Sequence, residues 1–272
     1  MGKTDPMDEL NNLWEITEGH GPIIATAIHH GHAVCPEVAE LLALDDQTRL
    51  REEDPFTGVW TGISDNRILV HRSRFEFDLN RPPEKAVYLV PSDAWGLELW
   101  KSSLPGHLVE ASRTLYRAFY DNVCEGLTAL VSRFGRVVVY DLHSYNHRRK
   151  GPSEPPDDPG LNPEINLGTG TMDRDYWLPV VDSFLDAMGR AEFSGRRFDI
   201  RENVKFKGGY FPLWIHEHYP RTVCCLSIEV KKFFMDEWTG SPYPEAIKAV
   251  GDALGQTVPG VLSALGETGN RN

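Results

Sequence analysis

Three apolar, β-branched runs in this chain each end in a side chain that can bind a metal or carry a proton. Residues 23–28 (IIATAI) lead into His29-His30-Gly31-His32, residues 136–142 (RVVVYDL) into His143, and residues 222–228 (TVCCLSI) into Glu229. Short apolar runs of this kind read as strands buried on both faces. In open α/β sheets, ligands gather at the carboxyl ends of such strands. Two imidazoles, a carboxylate and an open position for water make up a zinc hydrolase centre. The acidic candidates to complete it are Glu53, Asp54 and Asp141, and His32, three residues after His29, is a rival ligand. Asp141, two residues before His143, is read as pointing away from it and so as a supporting group. A carboxylate closing an apolar strand is costly unless paired or used, which makes Glu229 a general-base candidate; the alternative is an ion pair with Lys231 or Lys232.

Two further segments carry binding chemistry. Ser73–Pro82 (SRFEFDLNRP) sets Arg74, Asn80 and Arg81 beside a strand end, where guanidinium forks and an amide suit a carboxylate. In Phe206–Tyr210 (FKGGY), Lys207 and Gly208 combine a cation with backbone that can approach a ligand closely.

The elements that must position these residues follow from pattern. A strand over 21–28 precedes a helix opening at Pro36 and closing near Asp45-Asp46; residues 45–66 are polar and turn-rich; strand-like segments occupy 67–71 and 74–79. The longest amphipathic helix covers 107–133 and stops at Gly135, and the next strand is 136–142. Residues 144–163 are polar and proline-rich and form a long loop, which in a compact domain is functional or mobile. A helix over 176–190, a short strand within 195–209, a helix at 211–219, the strand 222–230 and a helix over 243–265 broken at Pro259 complete the pattern. Strands alternating with long helices give one α/β/α sandwich around a mostly parallel sheet. Residues 1–20 are a helical or irregular lead-in, and 21–272 form one catalytic domain.

Composition removes other classes. A net charge of −12 argues against nucleic acid as partner, and no apolar run is long enough to span a bilayer. The first twenty residues lack a signal peptide's basic start and apolar core, so the expected setting is cytoplasmic, as a monomer or homodimer. The four cysteines lack CxxC spacing and are expected as thiols, two of them within one strand.

The strings SRFEFDLNRP, YDLHS, PEINLGT, FKGGY and LSIEV occur in the order seen in the N-formylglutamate amidohydrolase family, which the chain resembles over roughly residues 22–235. The resemblance implies the zinc carboxypeptidase and aspartoacylase fold, a mixed sheet of about eight strands between helices. It implies one Zn2+ held by His29, Asp54 and His143, with Glu229 as general base. Arg74, Asn80 and Arg81 would grip a substrate carboxylate. Isoleucine replaces the family's proline before His29, and Glu53-Asp54-Pro55-Phe56 replaces its Thr-Asp-Trp. The implied activity is hydrolysis of a small anionic N-acyl amino acid such as N-formyl-L-glutamate. The alternatives are deacylation or carboxypeptidase-like hydrolysis of another acylated acid or peptide, or a metal-free binding protein of this fold.

Overall fold

In the computed structural model, which describes residues 13–268, the strands in chain order are β1 (Trp14–Thr17), β2 (Ile23–Ala27), β3 (Asn66–Val70), β4 (Val137–Tyr145), β5 (Ile165–Gly168), β6 (Glu192–Phe193), β7 (Arg196–Arg197), β8 (Ile200–Glu202) and β9 (Val223–Lys231). The helices are α1 (Pro36–Leu41), α2 (Asp46–Glu52), α3 (Thr57–Trp60), α4 (Gly106–Phe134), α5 (Leu178–Arg190), α6 (Tyr210–His218) and α7 (Pro244–Glu267). One sheet runs in the order β1-β3-β2-β4-β9-β5-β8, and β6 and β7 pair separately. The central strands β3, β2, β4 and β9 are parallel, whereas β1 and β5 pair antiparallel to β3 and β9. Mixed, mostly parallel topology is as expected from the sequence, with seven strands among the described residues in place of about eight.

Alternation of side chains across the sheet builds a core on each face. Val138, Tyr140, Cys224 and Leu226 pack with Val180, Phe184, Val250 and Leu254 of α5 and α7. Val137, Val139, Val223 and Cys225 pack with Phe119, Val123, Phe211 and Ile215 of α4 and α6. The result is three layers, with adjacent Cys224 and Cys225 serving opposite cores as free thiols. Helix α4 matches its sequence pattern and ends at Gly135, whose positive φ of 76° a side chain would strain. No helix among the described residues is long and apolar enough to cross a membrane.

Several expectations need correction. Residues 14–17 form an edge strand where the sequence reads as helical or irregular lead-in; residues 1–12 lie outside the described region. Residues 46–52 are helical, with Asp45 capping through the Thr48 amide at 2.7 Å. Residues 74–79 are not a strand, although they alternate like one. Strand β4 runs to Tyr145, so the long loop starts at Asn146, and Ile165–Gly168, unassigned from the sequence, is a strand. Pro259 does not break α7, because Val250, Leu254, Val261 and Leu265 bury one continuous stripe on both sides of it. Packing of that stripe outweighs the missing backbone bond.

The chain leaving β2 zips onto the chain leaving β3: Ala33 N donates to His71 O (3.0 Å) and Ser73 N to Ala33 O (2.8 Å). A Cβ on Gly31 would land on the backbone of His71. Gly31→Ala is therefore expected to lower stability by about 1–3 kcal/mol, the scale of overpacking a tight contact. Urea unfolding measures it; an unchanged midpoint would show that this junction yields.

Candidate active site

The parallel register of β2, β4 and β9 brings their carboxyl ends to one edge. His143 and Glu229 are register partners on β4 and β9, and His29 follows β2 by two residues. Asp54 is tied to this edge by its own amide, which donates to His29 O at 3.0 Å. His29, Asp54 and His143 are buried, and their ligand atoms all lie within 4.8 Å of one another. His29 Nδ1 and His143 Nδ1 both face Asp54 Oδ2, at 3.5 and 3.1 Å, while Ser144 Oγ donates to Asp54 Oδ1 at 3.1 Å.

Each ring has a second carboxylate behind it. His29 Nε2 donates to Asp78 Oδ1 at 2.7 Å. His143 Nε2 sits 3.0 Å from Asp141 Oδ2, close enough for charge attraction but without hydrogen-bond alignment. Asp141 thus lies on the same side of β4 as His143, contrary to the sequence reading, because positions two apart on a strand share a face. With the outer nitrogens turned to carboxylates, two inner nitrogen lone pairs face a third carboxylate. That arrangement requires a positive charge at its centre. Burial alone would push the His143 imidazole down, but the Asp141, Asp54 and Glu229 carboxylates together hold it well above its ordinary value. A divalent cation fits the same N, N, O donor set, and carboxylates behind metal-binding histidines are the usual means of fixing ring orientation. Burial alone would push Asp54 up, but the two imidazoles against it, His143 and His29, hold it far below the usual carboxylate range.

Glu229 behaves oppositely. Burial, with the Asp54 and Asp141 charges adding to it against the pull of His143, raises its carboxyl to about 7. No ion pair or hydrogen bond engages it among the described residues. Lys231 Nζ donates instead to Asn162 O (2.9 Å) and Lys232 Nζ to Glu53 O (2.7 Å), which removes the ion-pair alternative.

The cluster, Glu229 and the five anion-binding candidates line one cleft of about 590 Å³. Arg74 Nη2 donates to Asp78 Oδ2 at 2.7 Å, its Nε has no partner among the described residues, and its guanidinium lies 4.9 Å from the Trp95 ring centre. Asn80 spends its amide oxygen on the Phe211 amide at 2.9 Å, which fixes the start of α6. Arg81 is freer: its side chain is 38% exposed, with Nε 3.9 Å from Asp78. Lys207 is exposed in the same cleft, and Gly208 has a φ of 112° that only glycine adopts readily. The rival ligands are elsewhere: His32 Nδ1 is 2.5 Å from Glu53 Oε2, and Glu53 also binds the Ser73 hydroxyl.

Three lining or supporting residues were given no role from the sequence. Asp78 is a fully buried carboxylate inside the segment that reads as a strand, and its partners are visible only in three dimensions. Ser144 directly follows His143, so adjacency alone could have raised it. Asn146 is buried with its amide oxygen unpartnered among the described residues, and Lys232, read from the sequence only as an ion-pair partner for Glu229, is buried in the cleft wall.

A sheet edge presenting a cation-seeking His-Asp-His cluster beside a proton-holding carboxylate is the architecture of a hydrolytic centre. The sequence signature of N-formylglutamate amidohydrolase matches residues 21–235, and the chain belongs to that family of hydrolases. Its fold is similar to that of N-formylglutamate amidohydrolase from Ralstonia eutropha JMP134, at 17% identity, 93% coverage of this chain and 97% of that one, with a TM-score of 0.70. A gene product of Agrobacterium tumefaciens is comparable, at 18% identity, 93% and 96% coverage and a TM-score of 0.66. No curated protein sequence matches it.

The raised Glu229 carboxyl has a thermodynamic signature. Between the unfolded value near 4.5 and the folded value of about 7, the folded state holds the proton that the unfolded state has lost. Stability therefore falls as pH rises through this window. In chelator-treated protein, Glu229→Gln is expected to stabilise at pH 8 relative to its effect at pH 5, measured by denaturant unfolding. An effect independent of pH would mean that Glu229 titrates normally.

Proposed function

We propose that the chain is a zinc-dependent amidohydrolase that cleaves the amide bond of a small N-acyl amino acid, with N-formyl-L-glutamate the reference substrate. Residues 21–272 act as one catalytic domain. The observation that carries this reading is the pair of inward-facing imidazole nitrogens around Asp54, with Glu229 beside them in an open cleft. His29, Asp54 and His143 would hold the ion, which when bound would polarise the amide carbonyl and lower the pKa of a water to about 7.

Glu229 is the base that takes a proton from the attacking water as it adds to the carbonyl carbon. It then returns the proton to the nitrogen as the C–N bond breaks, releasing a carboxylic acid and a free amino acid. A base works best when its pKa lies near the working pH, and burial moves Glu229 in that direction. Asp78 and Asp141 hold the two imidazole rings in place from behind. Arg81 and Asn80 orient the substrate carboxylate, with Arg74 held behind them on Asp78, and Lys207 and Gly208 line the same cleft. Fixing the substrate by a remote group is a means of positional catalysis. The chain is acidic overall, at −12, so attraction for an anion depends on these local cations.

Three measurements test the assignment. Glu229→Gln should retain fold and metal while turnover falls roughly 10²-fold or more. Near-normal turnover would return Glu229 to a structural role. Protein isolated without chelator should carry about one metal per chain, and His143→Ala should lose it; undiminished metal content in the variant removes the ligand set. Arg81→Lys should raise KM although charge is kept, because an ammonium cannot reproduce a two-pronged contact, and amidated substrates should be poor. Equal rates on free-acid and amidated substrates would end the carboxylate-grip assignment.

A further inference from the structure

The cations lining the cleft are unequally available. Arg74 is bound to Asp78 at 2.7 Å, Arg149 reaches Glu52 through both Nη atoms at 3.3 and 3.1 Å, and Lys232 is engaged by the carbonyls of Arg51 and Glu53. Arg81, 3.9 Å from Asp78, and the exposed Lys207 remain. If Arg81 and Asn80 receive an α-carboxylate, a second carboxylate meets only Lys207. A lone exposed lysine grips weakly.

The apolar lining is more generous. Trp95, Phe206 and Leu213 are 48%, 37% and 36% exposed, and all three face the cleft. Trp95 sits at φ 55°, in the left-handed region where a bulky side chain is strained, and strain of this kind collects at ligand sites. Its ring lies 4.9 Å from the Arg74 guanidinium and meets Tyr88 edge-on at 6.2 Å. Phe206 packs edge-on against Tyr145 at 5.5 Å, and the Tyr145 hydroxyl is turned to Pro163 O, so that this pair presents carbon to the cleft. Leu213 comes from the first turn of α6, next to the loop that carries Phe206 and Lys207. Exposed aromatic and aliphatic side chains around a few polar anchors are what a cleft of about 590 Å³ uses to bind an organic ligand.

We propose that this cleft takes an N-acyl amino acid with a single carboxylate and one large apolar group, the carboxylate at Arg81 and Asn80 and the apolar group against Phe206, Leu213 and Trp95. The inference rests on the amidohydrolase reading and narrows its substrate class. The full-length, zinc-supplemented protein should hydrolyse N-formyl-phenylalanine and N-formyl-leucine with kcat/KM at least about 10-fold above N-formylglutamate and N-formylglycine, since even one methylene in an apolar pocket is worth about that factor. Phe206→Ala and Leu213→Ala should each remove much of this preference, chiefly through KM, and should affect the glycine substrate less. A glutamate substrate equal to or better than phenylalanine, or equal losses on every substrate, overturns the proposal. Should no N-formyl amino acid be hydrolysed, calorimetric titration of N-formyl-phenylalanine and N-formylglutamate into the same protein decides. Tighter binding of the phenylalanine compound upholds the apolar subsite and places the failure on the hydrolytic reading. Equal binding, or none, removes the subsite.

Discussion

A buried carboxylate, Asp78, is the interaction on which the cleft is built. One of its oxygens accepts from His29 Nε2 at 2.7 Å and from the Asn80 amide at 2.8 Å, and the other from Arg74 Nη2 at 2.7 Å and the Tyr88 hydroxyl. Burying a charge is costly unless it is paired and hydrogen-bonded, and here every partner is a donor. Asp78 is consequently held well below the ordinary carboxylate range, because the Arg74 and His29 attractions outweigh its burial. Its ionised state sets the orientation of His29 and, through the same atoms, the positions of Arg74 and Asn80. One buried anion thus couples the cation-seeking cluster to the wall that faces the substrate. Loss of one partner from such a buried pair typically costs about 3–5 kcal/mol, so the two halves of the cleft share one source of rigidity.

This coupling also explains which parts of the chain could be read from sequence. The strands leading to His29, His143 and Glu229 are continuous apolar runs, and a parallel sheet brings such runs to a common edge whatever the details between them. The residues at that edge were therefore legible, as were helix α4 and its glycine stop. Segment 74–79 was not, because Phe75, Phe77 and Leu79 alternate with polar residues as in a half-exposed strand. In the fold Glu76 and Asp78 are as buried as their apolar neighbours. Glu76 accepts from the Cys35 amide at 2.8 Å, and Asp78 is engaged as above, so both sides of the segment are held and no strand partner is needed. A pattern of period two reports alternation, and polar residues with specific long-range partners break the link between polarity and exposure.

The acidic position shows the same limit more sharply. Glu53 and Asp54 are adjacent and both buried, and nothing in their immediate sequence distinguishes them. The turn after α2 does: Asp54 donates its amide to His29 O and so enters the cluster, while Glu53 is directed to His32 and the Ser73 hydroxyl. The third histidine that looks like a rival ligand is thereby occupied by the carboxylate that looks like a rival ligand. Adjacent residues on a turn point apart, and this separation needs the position of β3 and its exit, which is non-local information.

Asp54 and Glu229 are two carboxylates at one sheet edge, driven in opposite directions. Asp54 has hydrogen bonds from His143 and Ser144 and the His29 ring 3.5 Å away, so its ionised form is the one the surroundings solvate. Glu229 receives none, so the cost of burial, with Asp54 and Asp141 as like charges, keeps its protonated form to about 7. Burial penalises both ions alike, and hydrogen-bond supply decides where that penalty is outweighed and where it stands. Groups whose environments pull their pKa values apart in this way can divide labour, one remaining an anion for a cation to bind and the other free to exchange a proton near neutral pH. The β4–β9 register makes that division geometric, because pairing His143 with Glu229 sets the proton-exchanging carboxylate one strand away from the cluster that needs positive charge. A one-residue slip in that register would move Glu229 to the opposite face of the sheet, into the apolar core. The long buried matches of Val137–Leu142 with Val223–Ile228 therefore act on the chemistry as directly as the polar residues do, by permitting only one alignment.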